Sequence, residues 1–163
     1  MRFIKLIMYS GVILFIVATT IGLLFPSTVV VSRAIDIVAP KDSVMNYIQN
    51  IPRWKFWMEG VNDTTTKILS NKQALLGNTS VAITNMNDSM VTSTWTNKNN
   101  VQQLCTITLY HHQNNPTTVC HWQFVQKIQW YPWERFASMM NDKILGTMME
   151  KNLQQLKVLV EQE

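Results

Sequence analysis

The pattern of apolar and polar positions divides the chain into three regions. Residues 6–25 are twenty consecutive uncharged residues, rich in Ile, Leu, Val and Phe. Residues 27–130 contain short runs of β-branched and aromatic residues, separated by links of Asn, Asp, Ser and Gly. From residue 131 onwards the apolar residues recur every three or four positions, which is typical of an amphipathic helix. The sequence therefore predicts an apolar N-terminal helix, a β-rich body and a long C-terminal helix.

The C-terminal helix is predicted to begin at Pro132, because a proline in the first turn needs no N–H. Glu134 lies where the positive end of the helix dipole favours a carboxylate. One apolar stripe is predicted to run along the helix: Phe136, Met140, Ile144, Met148, Leu153, Leu156 and Val160. About thirty helical residues would extend about 45 Å. A helix of this length with one wide apolar face needs a curved sheet to lie against.

The first half of the body predicts a strand followed by short helical segments. Residues 27–38 alternate partly between apolar and polar positions, as a strand does. A short helix follows, for which Asp42 or Ser43 is the predicted cap. Trp54 and Trp57 are three residues apart, so they share one face of a helical turn.

The second half of the body predicts an antiparallel meander. Five runs have strand character: residues 67–69, 79–84, 90–96, 101–111 and 117–130. The links between the last four runs are too short to contain crossover helices, so consecutive strands must be antiparallel.

The apolar N-terminal region predicts a membrane anchor. Twenty helical residues span about 30 Å, the thickness of the hydrocarbon core of a bilayer. Arg2 and Lys5 precede the run, so the positive-inside rule places the N-terminus in the cytoplasm. We predict that residues 1–26 are an uncleaved signal anchor, and that residues 27–163 form one domain on the outer, periplasmic or extracytoplasmic face. A cleaved signal peptide is the alternative, although its apolar region is usually shorter, at about 7 to 15 residues.

Composition excludes some classes of function. The 163 residues carry a formal net charge of +4. Arg2 and Lys5 supply two of the positive charges, so the body carries only about +2, without clusters of Lys and Arg. This weak charge argues against nucleic acid as a partner. Ten Met and six Trp residues can fill an irregular core or line an apolar pocket.

Several short motifs, taken in order, resemble those of one superfamily. They are Val31-Ser-Arg-Ala-Ile-Asp-Ile-Val-Ala-Pro40, Ile51-Pro-Arg-Trp-Lys-Phe-Trp57, Cys120-His-Trp122, Met140-Asn-Asp-Lys-Ile-Leu-Gly146 and Leu153-Gln-Gln-Leu-Lys157. Over residues 28–161 the chain resembles the SRPBCC superfamily, which includes START lipid-transfer domains and polyketide cyclase/dehydratase-like proteins, in its branch with an N-terminal transmembrane segment. The resemblance implies an α+β helix-grip fold, in which a curved antiparallel sheet wraps around a long C-terminal helix. It also implies an apolar cavity between sheet and helix, but no particular reaction.

Large apolar side chains on the predicted inner faces are the candidates to line this cavity. They are Trp54, Trp57, Trp95, Trp122, Phe124, Met140, Ile144 and Met148. The alternative is that they fill the core, where burial of each large side chain contributes about 1.5 to 3 kcal/mol.

The two cysteines are predicted to be buried, unpaired thiols. A turn at residues 114–115 places Cys105 opposite Phe124, four residues away from Cys120. At about 3.3 Å per residue this offset exceeds the reach of a disulfide.

The histidines predict neither a metal site nor a catalytic site. His111 and His112 are neighbours in a strand and point to opposite faces, and no Cys or carboxylate pattern completes a ligand set. His121 is the only candidate base, but the alternation turns it away from Trp122. We therefore predict no catalytic residue, no metal and no cofactor.

These observations favour a membrane-anchored domain that binds a hydrophobic small molecule or lipid between the sheet and the C-terminal helix. The membrane is the expected partner. The alternatives are a cyclase/dehydratase-like enzyme and a ligand-free scaffold for protein interaction.

Overall fold

The computed structural model of the chain describes residues 2–24, 27–111, 115–129 and 131–162. Its elements in chain order are α1 (Arg2–Leu23), β1 (Thr28–Ile37), α2 (Lys41–Ile48), α3 (Ile51–Trp54), β2 (Thr66–Ser70), β3 (Gln73–Leu76), β4 (Thr79–Asn87), β5 (Met90–Thr96), β6 (Gln102–His111), β7 (Thr118–Lys127) and α4 (Pro132–Glu161). The predicted α+β helix-grip class is confirmed, because one antiparallel sheet packs against a long C-terminal helix.

The sheet has the order β1-β7-β6-β5-β4-β3-β2. Strands β2 to β7 form a meander, and β1 returns to pair with β7, so that Thr28 lies opposite Lys127. The predicted meander is therefore confirmed. Strand β3 was not among the predicted runs, because four residues are too few to show a two-residue period.

Helix α2 begins without the predicted cap. Pro40 occupies the N-cap position and makes no side-chain capping hydrogen bond. Asp42 and Ser43 lie within the first turn instead, where the helix dipole favours the Asp42 carboxylate.

Helix α4 packs on the sheet through its second half. Met149, Leu153, Leu156 and Val160 are buried. In the first half the predicted stripe is wrong at Met140 and Ile144, whose side chains are 61% and 67% exposed. At 3.6 residues per turn these two residues point about 180° away from the buried set.

A polar contact holds the first half of α4 against β1. Arg33 donates from Nε to Glu150 Oε1 at 2.6 Å and from Nη1 to Asp142 Oδ1 at 3.2 Å. Its guanidinium lies over Gly146, where an added Cβ would overlap it. Hydrogen bonds that Arg33 donates to the two carboxylates raise its pKa, so it stays charged. Asp142, Gly146 and Glu150 therefore face β1, whereas Met140 and Ile144, on the other side of the helix, face outwards.

Helix α1 is long and apolar enough to cross a membrane. The candidate span, Phe3–Leu23, has 21 residues, and the 18-residue window that defines it has a mean hydropathy of 2.2 and is 6% buried. An N-terminal signal sequence can also form a helix of this kind. Phe25, at the end of the predicted apolar run, lies outside the described residues.

Helix α1 also contacts α4. Burial within α1 is confined to its last two turns, where Ala18 and Thr19 are half-buried and Gly22 is buried. Just beyond, the Ser27 carbonyl accepts a hydrogen bond from the Ile128 N–H at 2.8 Å. We call this part of the sheet, where β1 begins and β7 ends, the anchor-proximal end.

The Arg33 contact predicts that the effect of a substitution at position 146 on the free energy of unfolding depends on the residue at position 33. In an Arg33→Ala background, Gly146→Ala should stabilise the fold by about 1 kcal/mol, because alanine favours a helix interior over glycine. In the native background the added methyl displaces Arg33 from its two carboxylates, so we expect a clearly smaller gain or a loss. Urea unfolding of all four variants in mild detergent measures the difference. Equal effects of Gly146→Ala in both backgrounds would show that the guanidinium is not held over the glycine.

Candidate functional site

The concave face of the sheet, which faces the helices, is the candidate site. Side chains alternate across each strand, and one set of alternate residues on β1, β7, β6 and β5 points inwards. At the end far from the anchor this face is fully buried, as at Ile107, Leu109 and Cys120. At the anchor-proximal end the inward-facing residues are only half-buried: Val29, Trp95, Gln103 and Gln126. The concave face is therefore closed at one end and open at the other.

Five aromatic rings pack into a closed circuit on the concave face. In order around the circuit they are Trp54, Trp57, Trp122, Phe124 and Trp95. Neighbouring ring centroids are separated by 5.5 to 6.4 Å. Trp54 and Trp95 are stacked at 10°, and most of the other pairs meet edge to face, which is favourable packing for aromatic rings.

Every indole N–H of this circuit has an acceptor within the domain. The donor and acceptor pairs are Trp54 to the Ile48 carbonyl at 2.9 Å, Trp57 to the Tyr47 carbonyl at 3.4 Å, Trp95 to Ser93 Oγ at 3.0 Å and Trp122 to Cys105 Sγ at 3.0 Å. Buried indoles need such partners. Trp54, Trp57 and Trp122 therefore act as core residues in this structure.

The open end of the concave face combines two aromatic rings with a pair of amides. Trp95 and Phe124 lie at this side of the aromatic circuit. Beside them Gln103 Nε2 donates to Gln126 Oε1 at 2.7 Å across β6 and β7. An apolar wall with a few placed polar groups is typical of small-molecule sites. The sequence analysis did not identify the amide pair. Its signal is the alternation of the strands: Gln103 is two residues before Cys105 on β6, and Gln126 is two residues after Phe124 on β7, so both face inwards.

The structure brings five of the eight predicted cavity residues together in the aromatic circuit. Of the other three, Met148 is half-buried, whereas Met140 and Ile144 face outwards, on the side of α4 away from the Arg33 contact. Ligand contact at the eight positions stays a prediction.

The predicted unpaired thiols are confirmed. Cys105 lies opposite Phe124 and Cys120 opposite Leu109, and both cysteines are buried and free. Burial raises the pKa of Cys105 to about 11, although hydrogen bonds, chiefly from Trp122, partly offset the effect. Burial alone raises the pKa of Cys120 to about 12. Both groups are therefore neutral thiols at ordinary pH.

The histidines lie apart from the concave aromatic circuit. His121 is half-buried on the convex face, because its neighbour Trp122 points inwards. The Nδ1 atom of His111 is 3.0 Å from Thr118 Oγ1, and His112 lies outside the described residues. Among the residues described, no three His, Cys, Asp or Glu side chains are grouped so as to hold a metal ion.

A second depression lies outside the sheet. A groove of about 590 Å³ separates the segment after α3 from the last turns of α4, and is lined by residues such as Lys55, Phe56, Gln155 and Val158. The buried side chain of Asn152 accepts a hydrogen bond from the Glu59 N–H at 2.9 Å, which fixes this segment to α4. Because the groove is on the outward side of α4, it is distinct from the predicted cavity.

The sequence matches no protein-family model and no curated protein. Solved structures do resemble the fold. A protein of Nitrosospira multiformis is 14% identical, with a TM-score of 0.61 over 80% of this chain and 94% of that one. The di-domain ARO/CYC protein BexL, from the BE-7585A biosynthetic pathway, is 12% identical with a TM-score of 0.61 over 83% of this chain and 50% of BexL. DynU16, from the dynemicin biosynthetic locus, is 12% identical with a TM-score of 0.56 over 81% of this chain and 47% of DynU16.

These likenesses define the class of fold. The chain has the helix-grip architecture found in these proteins, as expected from its SRPBCC-like motifs. This chain spans about half the length of BexL and of DynU16.

The aromatic circuit predicts a large loss of stability for Trp54→Ala. Trp54 is 1% exposed, so truncation should lower the free energy of unfolding by about 3 to 5 kcal/mol. Phe56→Ala is the matched control, because Phe56 is 57% exposed and its truncation should change stability by about 0.5 kcal/mol or less. Urea unfolding in mild detergent measures both. Similar losses in the two variants would contradict the packing described.

The raised pKa values predict that the folded protein resists alkylation. At pH 9 an ordinary thiol, with a pKa of 9.0, is half ionised, whereas Cys105 and Cys120 stay protonated and shielded. Iodoacetamide should therefore modify them at pH 9 only after unfolding, as read by intact mass. Tyr110→Cys provides a reactive control on β6, because Tyr110 is 56% exposed. If Cys105 and Cys120 in the folded protein were modified as fast as the cysteine introduced by Tyr110→Cys, they would not be the buried, protonated thiols described above.

Proposed function

We propose that this chain is a membrane-anchored helix-grip domain that binds a hydrophobic small molecule or lipid between the sheet and the first half of α4. One observation carries the proposal: the concave face is filled by aromatic rings at its centre but opens at the anchor-proximal end. The ligand is proposed to lie at this opening, with its apolar part against Trp95 and Phe124.

The amide pair supplies the polar part of the proposed site. Gln103 and Gln126 are bonded to each other and half-buried, so their remaining donors and acceptors can bind an uncharged polar group of the ligand. A neutral amide pair suits a hydroxyl, ester or amide better than an ionised group, whose desolvation it would not offset.

The carboxylate and the candidate base of the described strands lie away from the proposed site. The described strands contain a single carboxylate, Asp36, which is exposed on the convex face. The candidate base His121 also lies on the convex face. General acid or base catalysis needs a titrating group within hydrogen-bond reach of the substrate, and neither of these two residues faces the proposed site.

The proposed site is tested by ligand capture. The full chain is purified in mild detergent, and native mass spectrometry is used to detect co-purifying molecules. Displacement of an uncharged fluorescent fatty-acyl ester provides a second measurement. We expect a discrete adduct in the native protein and its loss in Gln126→Lys, because a charge on the concave face would have to be buried by an apolar ligand.

Gln123→Lys is the matched control. Gln123 is on the same strand, three residues away, and faces the opposite side of the sheet, so this variant should keep the adduct. Equal loss in both variants would show that the effect is not local to the concave face. If the native protein carries no adduct and does not bind the uncharged fatty-acyl ester probe, the proposal is wrong.

A further inference from the structure

The outward face of α4 is apolar in its first half. Trp133, Met140 and Ile144 are 60%, 61% and 67% exposed. At 3.6 residues per turn these three positions fall within about 40° of one another around the helix. They lie in one line along the helix, which we call the outer stripe.

The same face becomes polar in the second half of the helix. Lys151, Gln154 and Gln155 continue the outward face and are exposed. Val158 is the apolar exception, and is 44% exposed. Solvent would favour polar residues along the whole face, so the apolar half needs a different environment.

The apolar half is the half nearest to the anchor. Ser27 is four residues after Leu23, the last residue of α1, so the chain can span at most about 14 Å between them. Ser27 is hydrogen-bonded to Ile128, which precedes α4 by four residues. Helix α1 also contacts α4 directly, and its buried residues are confined to its last two turns. If α1 crosses a bilayer, the start of α4 must lie at the bilayer surface.

We infer that the outer stripe is a membrane-docking surface, which inserts into the boundary between headgroups and acyl chains of the bilayer that α1 crosses. The inference rests on the proposed membrane anchor. The rings of Tyr131 and Trp133 stack at 5.0 Å at the start of the helix, and such aromatic side chains are enriched at membrane interfaces.

The charges around the outer stripe suit a lipid surface better than an apolar protein groove. Lys143 is exposed beside the stripe. The nearby carboxylates of Asp142 and Glu150 are turned towards Arg33, which neutralises part of their charge. An apolar stripe with an adjacent cation is the pattern of helices that lie in the membrane interface, where lysine also meets anionic headgroups.

Docking would place the open end of the concave face beside the bilayer. Trp95, Phe124 and the amide pair lie at the same end of the sheet as Ser27 and α1. A hydrophobic ligand would then exchange with the lipid phase without crossing water.

Site-specific photocrosslinking tests the inference on the full chain. The chain is reconstituted into vesicles of phosphatidylcholine and phosphatidylglycerol, and p-benzoylphenylalanine replaces Trp133, Met140, Ile144, Val158 or Leu14 in separate variants. Mass spectrometry then identifies the adducts. We expect lipid adducts at the three outer-stripe positions, several-fold above Val158, because Val158 is an exposed apolar residue on the same face but far from the anchor.

Crosslinking at Leu14 shows whether α1 crosses the bilayer, independently of whether the outer stripe docks. Leu14 lies in the middle of α1 and is 70% exposed, so it should form lipid adducts if α1 crosses the bilayer. Adducts at Leu14 with none at the outer stripe would overturn docking and leave the anchor intact. An absence of adducts at Leu14 and at the outer stripe would overturn both. Adducts between the outer stripe and a second copy of the chain would show a protein contact and overturn the inference.

Gln126→Lys separates docking from ligand binding. Crosslinking at Trp133 should be unchanged in this variant, since the outer stripe and the proposed ligand site face different sides of α4. Loss of the lipid adducts in Gln126→Lys would show that they come from a bound ligand and would overturn docking.

Discussion

The rotation of α4 about its own axis determines most of what this structure presents to its surroundings. The helix has apolar residues around much of its circumference, so its hydrophobic pattern permits more than one rotation. In the observed rotation Met149, Leu153, Leu156 and Val160 are buried, and the Arg33 guanidinium reaches Glu150 and Asp142 across the backbone of Gly146. Only glycine leaves room for this approach. With Asp142 and Glu150 directed at β1, Leu153 and Leu156 enter the core and Ile144 turns outwards.

The two ends of the domain differ in packing. In the half far from the anchor, α4 closes over the sheet, and the aromatic circuit fills the interior with rings whose N–H groups are all bonded. In the half near the anchor, Arg33 of β1 forms ionic contacts with Asp142 and Glu150 of the helix. There the concave face stays half-buried, and the amides of Gln103 and Gln126 become available at its edge. Stability and binding can therefore reside in different parts of one small domain.

The likeness to BexL and DynU16 concerns the backbone. At 12% identity a shared helix-grip fold says how the sheet surrounds the helix, but not which side chains line the interior. In this chain the interior is unusually aromatic, and its neutral cysteines and outward-facing His121 offer little reactive chemistry. The proposed binding role therefore depends on the local geometry at the open end, and the fold supplies only the framework.

The sequence by itself determined the order and type of the elements other than the short strand β3. Two-residue alternation identified the meander, helical spacing identified α4, and the length of the apolar run identified α1 as a candidate span. The register of β6 and β7 also followed from the turn between them, which is why the separation of Cys105 from Cys120 could be predicted. These features depend on residues close together in the chain, where periodicity and turn length are sufficient.

Tertiary structure alone decided which predicted cavity residues meet. The circuit joins Trp54 and Trp57 to rings that lie far away in sequence, on β5 and β7. The placement of Met140 and Ile144 on the outside goes with the packing of the opposite side of α4 against β1, including the contact with Arg33, more than one hundred residues away in the sequence. Helical periodicity specifies which residues share a face, but it cannot specify which face meets the sheet when more than one is apolar. That choice depends on a contact between distant residues, which local patterns do not encode.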